Sequence, residues 1–517
     1  MHESTRFAAA ALLVAAVTTS CGTTVSGAGA SSAAGTTGNA LSEPSSGAGA
    51  PGGSLAALGG TGAGSTGSSS GVASQPAGGA GTSSSAPGAS STGPGSGTGV
   101  TTGVPATGRG YDTKKLYLGF PTNTDVSRAA PAGIGASNFG DQNGIINAIV
   151  HDVNTHGGIL GRTVVPVLHD IATASLETDP TTAAQATCTA FTQDHHVVAV
   201  VNIVAAIDLP TFYSCLAKHD TPLISAGFVP ADDKYFATYA PYLYKLTAAS
   251  FTQLAPVWIA RLTAMGYFHG WDTTNGAPGS GAAKIGLLYP DVQPQQRIFA
   301  DIHARLTRAG LTVAKEYQYD VSSLNAESTS MGNAVLQMRN AGVTHILSSE
   351  SDALLFMEAA DSQHYRPRYA LTSYHAAAVQ LQGTVPSTQL AGSMGIGWLP
   401  ATDVDAAHNP GPVSPGETSC RKVMHAAGVD VSAASAEIVA LAVCDGVRLI
   451  ADGLDATKNP SSAGLHAGLA TVSAHFESAL TWHVGLSMSQ YGLPGMVRDF
   501  AFTNGAYAYT SSKLYPL

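Results

Sequence analysis

The stretch that most constrains the fold is Asn143-Gly144-Ile145-Ile146-Asn147-Ala148-Ile149-Val150-His151-Asp152-Val153-Asn154-Thr155-His156-Gly157-Gly158-Ile159-Leu160-Gly161-Arg162, followed at once by Thr163-Val164-Val165-Pro166-Val167-Leu168-His169-Asp170. Ile145, Ile146, Ile149, Val150 and Val153 recur at three- and four-residue spacing, so they line one face of a helix. Gly157 and Gly158 stop it, because glycine takes the left-handed conformation of a helix C-terminus without a Cβ penalty. The β-branched run after Arg162 then predicts an extended strand.

The same alternation runs on either side. Residues 116–120, 164–168, 197–201 and 222–225 read as short buried strands. Asp179 as N-cap with Pro180 at the first helical position opens a helix between the second and third, and Asp208 with Pro210 is expected to open the helix carrying Cys215. Strands alternating with helices imply a parallel sheet covered on both faces. After Tyr242-Leu243-Tyr244-Lys245 the pattern restarts with a helix over 251–265, a strand over 284–289, a helix over 294–309 and a strand over 311–317. A helix capped by Ser328 and stopped by Gly342 follows, then strands over 343–348 and 369–373. Residues 391–397 read as one more strand and 435–454 as a long apolar helix. Two α/β lobes of similar plan therefore follow one another.

The motif Asn154-x-x-Gly157-Gly158-Ile159-x-Gly161-Arg162 closes the first helix after an N-terminal strand. A later strand ends in Tyr289, a helix ends in Ala309-Gly310-Leu311, and Met338-Arg339-Asn340-Ala341-Gly342-Val343 precedes the next strand. In this order the series resembles the Leu/Ile/Val-binding-like solute-binding proteins of ABC transporters, the type I periplasmic-binding fold, over residues 114 to 517. The resemblance implies two doubly wound parallel-sheet lobes joined by a hinge with a ligand cleft between them. The expected N-terminal lobe is 111–245, rejoined by 391–480; the C-terminal lobe is 246–390, completed by 481–517.

Residues 1–21 read as a lipoprotein signal peptide. Arg6 lies in a short n-region, and the apolar run from Phe7 to Val17 is shorter than the roughly 20 residues a bilayer span needs. Thr18-Thr19-Ser20-Cys21 resembles a lipobox, which implies a lipidated Cys21 as the mature N-terminus and a membrane anchor. Residues 22–110 are almost wholly Gly, Ala, Ser, Thr and Pro, a composition that cannot bury enough apolar surface to offset the entropy of ordering. They are expected to form a disordered tether with a reach on the order of 50 Å.

Four cysteines remain beyond Cys21, an even number suited to an oxidising compartment. Three pairings are possible; sequence proximity favours Cys188 with Cys215 and Cys420 with Cys444, each closing a loop that the chain-entropy model values at about 3.5 kcal/mol.

Ligands of open parallel sheets bind at the carboxyl ends of the strands, beside helix N-termini. The candidate ligand-binding residues in those loops are Thr122, Asn202, Ser225, Ala226 and Phe228 in the first lobe and Tyr289, Ser349, Glu350 and Tyr374 in the second. Thr122, Ser225 and Ser373 read equally well as helix caps, Asp352 better as a cap, and Tyr289 and Tyr374 as packing residues. Amino-acid binders resemble one another in a serine-containing loop after the third strand and a small-Ser/Ala-Thr loop after the fourth. Here the first reads Asn202-Ile203-Val204-Ala205-Ala206, without a hydroxyl, and the second Ser225-Ala226-Gly227-Phe228. That departure puts an α-amino acid ligand in doubt.

Other chemistries find little support. The adjacent His195 and His196 point to opposite faces of an extended chain, and His151 with His156 misses the i, i+4 spacing, so no metal is expected. Nucleophile-elbow, phosphate-loop and dinucleotide-binding signatures are absent, so neither an enzyme nor a cofactor is expected. The net charge of −10, from 24 basic and 34 acidic residues without a basic run, argues against nucleic acid. The leading expectation is an exported lipoprotein on the outer face of the cytoplasmic membrane. As a monomer it would capture a small polar organic solute, amino-acid-like or related, by cleft closure and hand it to ABC permease subunits. The rival is a ligand-sensing or interaction lipoprotein on the same fold, not coupled to transport.

Overall fold

Leu116, Leu118 and Phe120 on one face of β1 (Lys115–Thr122), and Gly119 and Pro121 on the other, are buried, as a strand covered on both faces requires. The computed structural model describes residues 106–126, 138–321, 324–350, 353–409, 411 and 413–517. The signal sequence, Cys21, the tether as far as 105, and Asp352 lie outside them. The body begins a few residues before the expected end of the tether: the Arg109 guanidinium donates to the Thr192 carbonyl, and Tyr117 N–H donates to the Gly110 carbonyl at 2.8 Å.

Helix α1 (Gln142–Thr155) starts at Asp141, whose carboxylate accepts from Gly144 N–H at 2.9 Å, and buries Ile145, Ile146, Ile149 and Val150. It ends where Gly158, at φ 71°, donates to the Val153 carbonyl at 3.0 Å. A Cβ on Gly158 would lie 2.0 Å from the Arg162 carbonyl oxygen, so only glycine makes this turn. Strand β2 (Thr163–Asp170) then pairs in parallel with β1, Lys115 opposite Thr163 through Thr122 opposite Asp170. β2 is an edge strand, which is why Pro166 interrupts no ladder.

The first lobe continues with α2 (Pro180–Thr189), β3 (Ala199–Asn202), α3 (Pro210–Lys218), β4 (Leu223–Ser225), α4 (Asp233–Tyr239) and β5 (Leu243–Lys245). Its sheet order is β2-β1-β3-β4-β5, all parallel. Asp179 caps α2 as expected. Asp208 does not cap α3: Leu209 holds the N-cap position, and the Asp208 carboxylate turns inward.

The second lobe is built from α5 (Phe251–Ala264), β6 (Lys284–Pro290), α6 (Gln295–Arg308), β7 (Thr312–Tyr319), α7 (Leu324–Asn340), β8 (His345–Ser348), α8 (Ala353–Ser362), β9 (Arg368–Thr372) and β10 (Met394–Gly397). Helix α7 begins before Ser328, which therefore sits inside it rather than at its cap. Its sheet is completed by β11 (Met496–Thr503), β12 (Ala506–Tyr509) and β13 (Tyr515–Pro516), in the order β12-β11-β10-β9-β8-β6-β7 with β13 beside β11. Strand β10 thus belongs to the second sheet, parallel to β9 and antiparallel to β11, so the return to the first lobe begins after 397 and not at 391.

That return carries α9 (Pro415–Ala426), α10 (Ala434–Thr457) and α11 (Ser462–Val472); α9 and α10 pack against α1, and Gly446 lets α10 approach Val201 of β3. The chain stays with the first lobe beyond the expected boundary of 480: Lys245 N–H donates to the Tyr491 carbonyl at 2.9 Å, and Leu493 N–H to the Lys245 carbonyl at 2.8 Å. Disulfides join Cys188 to Cys215, between α2 and α3, and Cys420 to Cys444, between α9 and α10, the local pairing that proximity favours.

Candidate functional site

Asn202, Ser225 and Lys245 end three neighbouring parallel strands and lie side by side in register. All three are fully buried, so the carboxyl edge of the first sheet is polar but closed to bulk water. The Lys245 ammonium donates to the Asp208 carboxylate, and also to the Tyr213 hydroxyl at 3.2 Å. The Ser225 hydroxyl donates to the other Asp208 oxygen at 2.6 Å and accepts Gly227 N–H at 3.0 Å. A Cβ on Gly227 would stand 1.9 Å from Asp208 Oδ2, so glycine at this position lets the loop close over the ion pair. Burial and the neighbouring Asp208 carboxylate push the Tyr213 phenol well above its ordinary range, so it stays protonated.

Three crossings join the lobes beside this edge. On the first, the Thr247 hydroxyl donates to the Gly227 carbonyl at 2.8 Å, and its own carbonyl accepts Trp398 Nε1–H of the second crossing at 2.7 Å. Asp403, on the same second crossing, is fully buried and accepts from the Ser373 hydroxyl, Leu399 N–H and the Tyr509 hydroxyl. Asp445 of α10 holds the approach to the third, accepting Ala479 N–H at 2.6 Å and Leu480 N–H at 3.0 Å. Arg297, near the start of α6, forms a two-pronged ion pair with Asp232, the N-cap of α4, at 2.8 and 2.9 Å. Asp232 lies between β4 and α4 and Arg297 in the first turn of the helix that follows β6, so the pair ties together the carboxyl-end sides of the two sheets.

The sequence candidates divide by what their polar atoms already do. The Thr122 hydroxyl donates to Asp170 at 3.0 Å, and Ser225 is held in the Asp208 network. Tyr289 stacks on Phe299 with ring centres 4.4 Å apart, and its hydroxyl donates to Glu316; burial pushes that phenol up to about 12. Tyr374 stacks on Phe251, and its hydroxyl donates to the Ala249 carbonyl at 2.8 Å, fastening the second lobe to the first crossing. Ala226 and Phe228 are buried in the core that spans both lobes. Glu350 accepts from Gln295 Nε2 at 2.6 Å. Two candidates keep an unspent polar atom: Nδ2 of Asn202 and Oγ of Ser349, both in fully buried residues, have no hydrogen-bond partner among the described residues. Gln295, at the first position of α6, was not legible in advance; its Oε1 is also buried and unpartnered.

Ser348 and His375 form a pairing that resembles a nucleophile with a base, at 2.9 Å from Oγ to Nε2. His375 Nδ1 accepts Thr372 N–H at 3.0 Å, so the ring proton sits on Nε2 and is donated to the serine. Burial lowers this histidine to about 4, and a ring that already gives its proton to the serine does not take the serine's. Among the described residues no group of three or more His, Cys, Asp or Glu side chains is placed to hold a metal.

A family model described as "Periplasmic binding protein" matches residues 132–490. This chain belongs to the periplasmic binding protein family. This periplasmic binding protein also shares its fold with solved structures. One is an ABC transporter solute-binding protein of R. palustris in complex with 4-hydroxybenzoate, at 13% identity and TM-score 0.55, covering 78% of this chain and 97% of that one. Another is the branched-chain amino acid transporter substrate-binding protein of Streptococcus pneumoniae in complex with isoleucine, at 14% identity and TM-score 0.53, covering 78% and 100%. A third, an ABC transporter substrate-binding protein of Aeropyrum pernix, aligns at 12% identity and TM-score 0.57, over 78% and 96%. Among curated protein sequences none matches.

Proposed function

We propose that this periplasmic binding protein captures a small polar organic solute between its two lobes and delivers it to an ABC importer. The observation that carries the reading is the pair of unspent buried atoms at opposite strand edges, Asn202 Nδ2 in one lobe and Ser349 Oγ in the other. Buried polar groups are paired in the great majority of cases, and an orphan costs about 1–3 kcal/mol. A solute that satisfies both atoms binds the closed arrangement best and so draws the cleft shut, which is the state a permease reads. The R. palustris and S. pneumoniae proteins, solved with 4-hydroxybenzoate and isoleucine, are precedents for small organic solutes on this fold.

The test is hydrogen exchange on the full chain with and without solutes that raise its melting temperature. At 100 times the dissociation constant a ligand adds about 2.7 kcal/mol, or about 3 °C for a body of this length. A genuine solute should slow exchange in both 202–207 and 348–350. Protection confined to one lobe would defeat capture by closure.

The receptor is proposed to ride on a lipid at Cys21, which requires export and accounts for the small residues before that cysteine. Cys21→Ala should move the protein from the membrane fraction to the medium; unchanged fractionation would remove the anchor from this reading.

A further inference from the structure

We infer that Arg297 and Asp232 are an electrostatic latch that holds the two lobes together before a solute arrives. Each partner is fixed on its own lobe. Asp232 Oδ1 accepts Tyr235 N–H at 2.7 Å as the cap of α4, which anchors the carboxylate to the first lobe. On the second, Arg297 Nη1 donates to Gln293 Oε1 at 2.6 Å, which steadies the guanidinium. Its Nε and Nη2 then donate to Asp232 Oδ2 and Oδ1 at 2.8 and 2.9 Å. The side chains are 33% and 13% exposed, so the fork is partly withdrawn from water. Hydrogen bonds between two charged groups are about twice as strong as neutral ones, and two parallel prongs fix their geometry.

The same loop touches the second lobe at one further place. The Ala231 carbonyl accepts Phe251 N–H at 2.8 Å, Asp233 N–H donates to Thr252 Oγ1 at 3.1 Å, and the Ser250 hydroxyl donates to the Asp233 carboxylate. Those bonds join the β4–α4 loop to the start of α5, where the first crossing ends, so the chain itself keeps their partners near one another. Arg297 has no such tether: α6 lies between β6 and β7, and no crossing enters it. Rotation about the crossings leaves the bonds to α5 close to the pivot but carries α6 away from Asp232, and the fork tolerates little displacement. The ion pair therefore breaks when the lobes part, and its free energy favours the closed state alone. A solute held between the lobes gains with it, because its apparent dissociation constant is the intrinsic one divided by the closed fraction; this last step rests on the receptor reading above.

Spin-label distances read the latch without any solute. Ala237 on α4 and Ala304 on α6 are exposed, one in each lobe. In the full chain carrying Cys21→Ser, Ala237→Cys and Ala304→Cys the other four cysteines are tied in disulfides, so only the two new thiols take a nitroxide. Pulsed electron–electron double resonance then gives the closed distance and, as a second population, the open one. Asp232→Asn keeps a capping oxygen for α4 and removes the negative charge, while Arg297→Gln removes the positive one. Each should raise the open-to-closed ratio of this labelled parent about three- to tenfold. The double variant should go no further than either single one, because the same contact is lost only once. In 1 M salt, where the screening length is about 3 Å, the parent should shift towards the open distance and Asp232→Asn should not. Distributions that coincide in the parent and both single variants overturn the latch. So does a double variant that opens by the product of the single effects, or a salt response of equal size in the parent and Asp232→Asn. Solute capture is decided separately by the exchange experiment above: both lobes protected by a solute, with distances unmoved by these substitutions, would leave a receptor that has no latch.

Discussion

Lys245→Met should cost about 3–5 kcal/mol, because it leaves the Asp208 carboxylate buried without its cation. Both side chains are fully inaccessible to solvent, so water cannot take the place of the lost ammonium. Ser225 would remain as the hydroxyl donor to that carboxylate. For a body of this length the loss corresponds to a fall of about 4–6 °C in melting temperature. Adding Asp208→Asn should recover most of it, since a buried ion pair replaced as a unit is often close to neutral. Calorimetry on the two variants decides the matter. A loss under about 1 kcal/mol for Lys245→Met, or no recovery in the double variant, would show that the pair does not hold this edge together.

The same pair marks the limit of what the sequence discloses. Ile145 to Val153, the glycines that end α1 and the Asp179 cap were legible because each signal and its consequence lie within a turn or two of chain. The local disulfides were legible for the same reason, as closures of short loops between successive helices. Asp208 was misread as a cap because it stands two residues before a proline, where caps occur. Its partner is 37 residues away and becomes a neighbour only once β4 and β5 lie in register, Ser225 beside Lys245. Strand edges could be put forward as a candidate site from pattern alone. Which atoms there stay free could not, because Tyr289, Tyr374 and Ser225 find their partners on Glu316, Ala249 and Asp208 through tertiary packing. A charged residue ending an apolar strand, as Lys245 does, was the one available hint.

Asp403→Asn should stabilise the protein at high pH and leave it unchanged at low pH. Burial pushes the Asp403 carboxyl up to about 7, against the pull of hydrogen bonds from Ser373, Leu399, Tyr509 and Thr402. The folded pKa exceeds the unfolded value of about 3.9, so the folded state holds a proton that the unfolded state releases. The stability from that proton is full below the unfolded pKa and is lost as pH rises towards the folded one. Asparagine is neutral throughout, and the shape of the site admits it. Three donors, Ser373, Leu399 and Tyr509, converge on Oδ2, which the amide oxygen can replace, while the amide nitrogen would face Thr402 Oγ1. The difference between variant and wild type should open between about pH 4 and pH 7 and reach at most about 4 kcal/mol, three pKa units at about 1.4 kcal/mol each. Comparison at the same pH removes the opposing trend of surface carboxylates such as Asp112 and Asp179, which backbone and side-chain hydrogen bonds hold below the ordinary range. Asp445 supplies the contrast. Burial raises it to about 6, but N–H groups of Ala479 and Leu480 point at its two different oxygens. An amide there sets its NH2 against an N–H, so Asp445→Asn should lose about 1–3 kcal/mol at neutral pH where Asp403→Asn gains. Denaturant unfolding of both variants from pH 4 to 8 reads the outcome; curves for Asp403→Asn that run parallel to wild type would mean that Asp403 does not carry the proton.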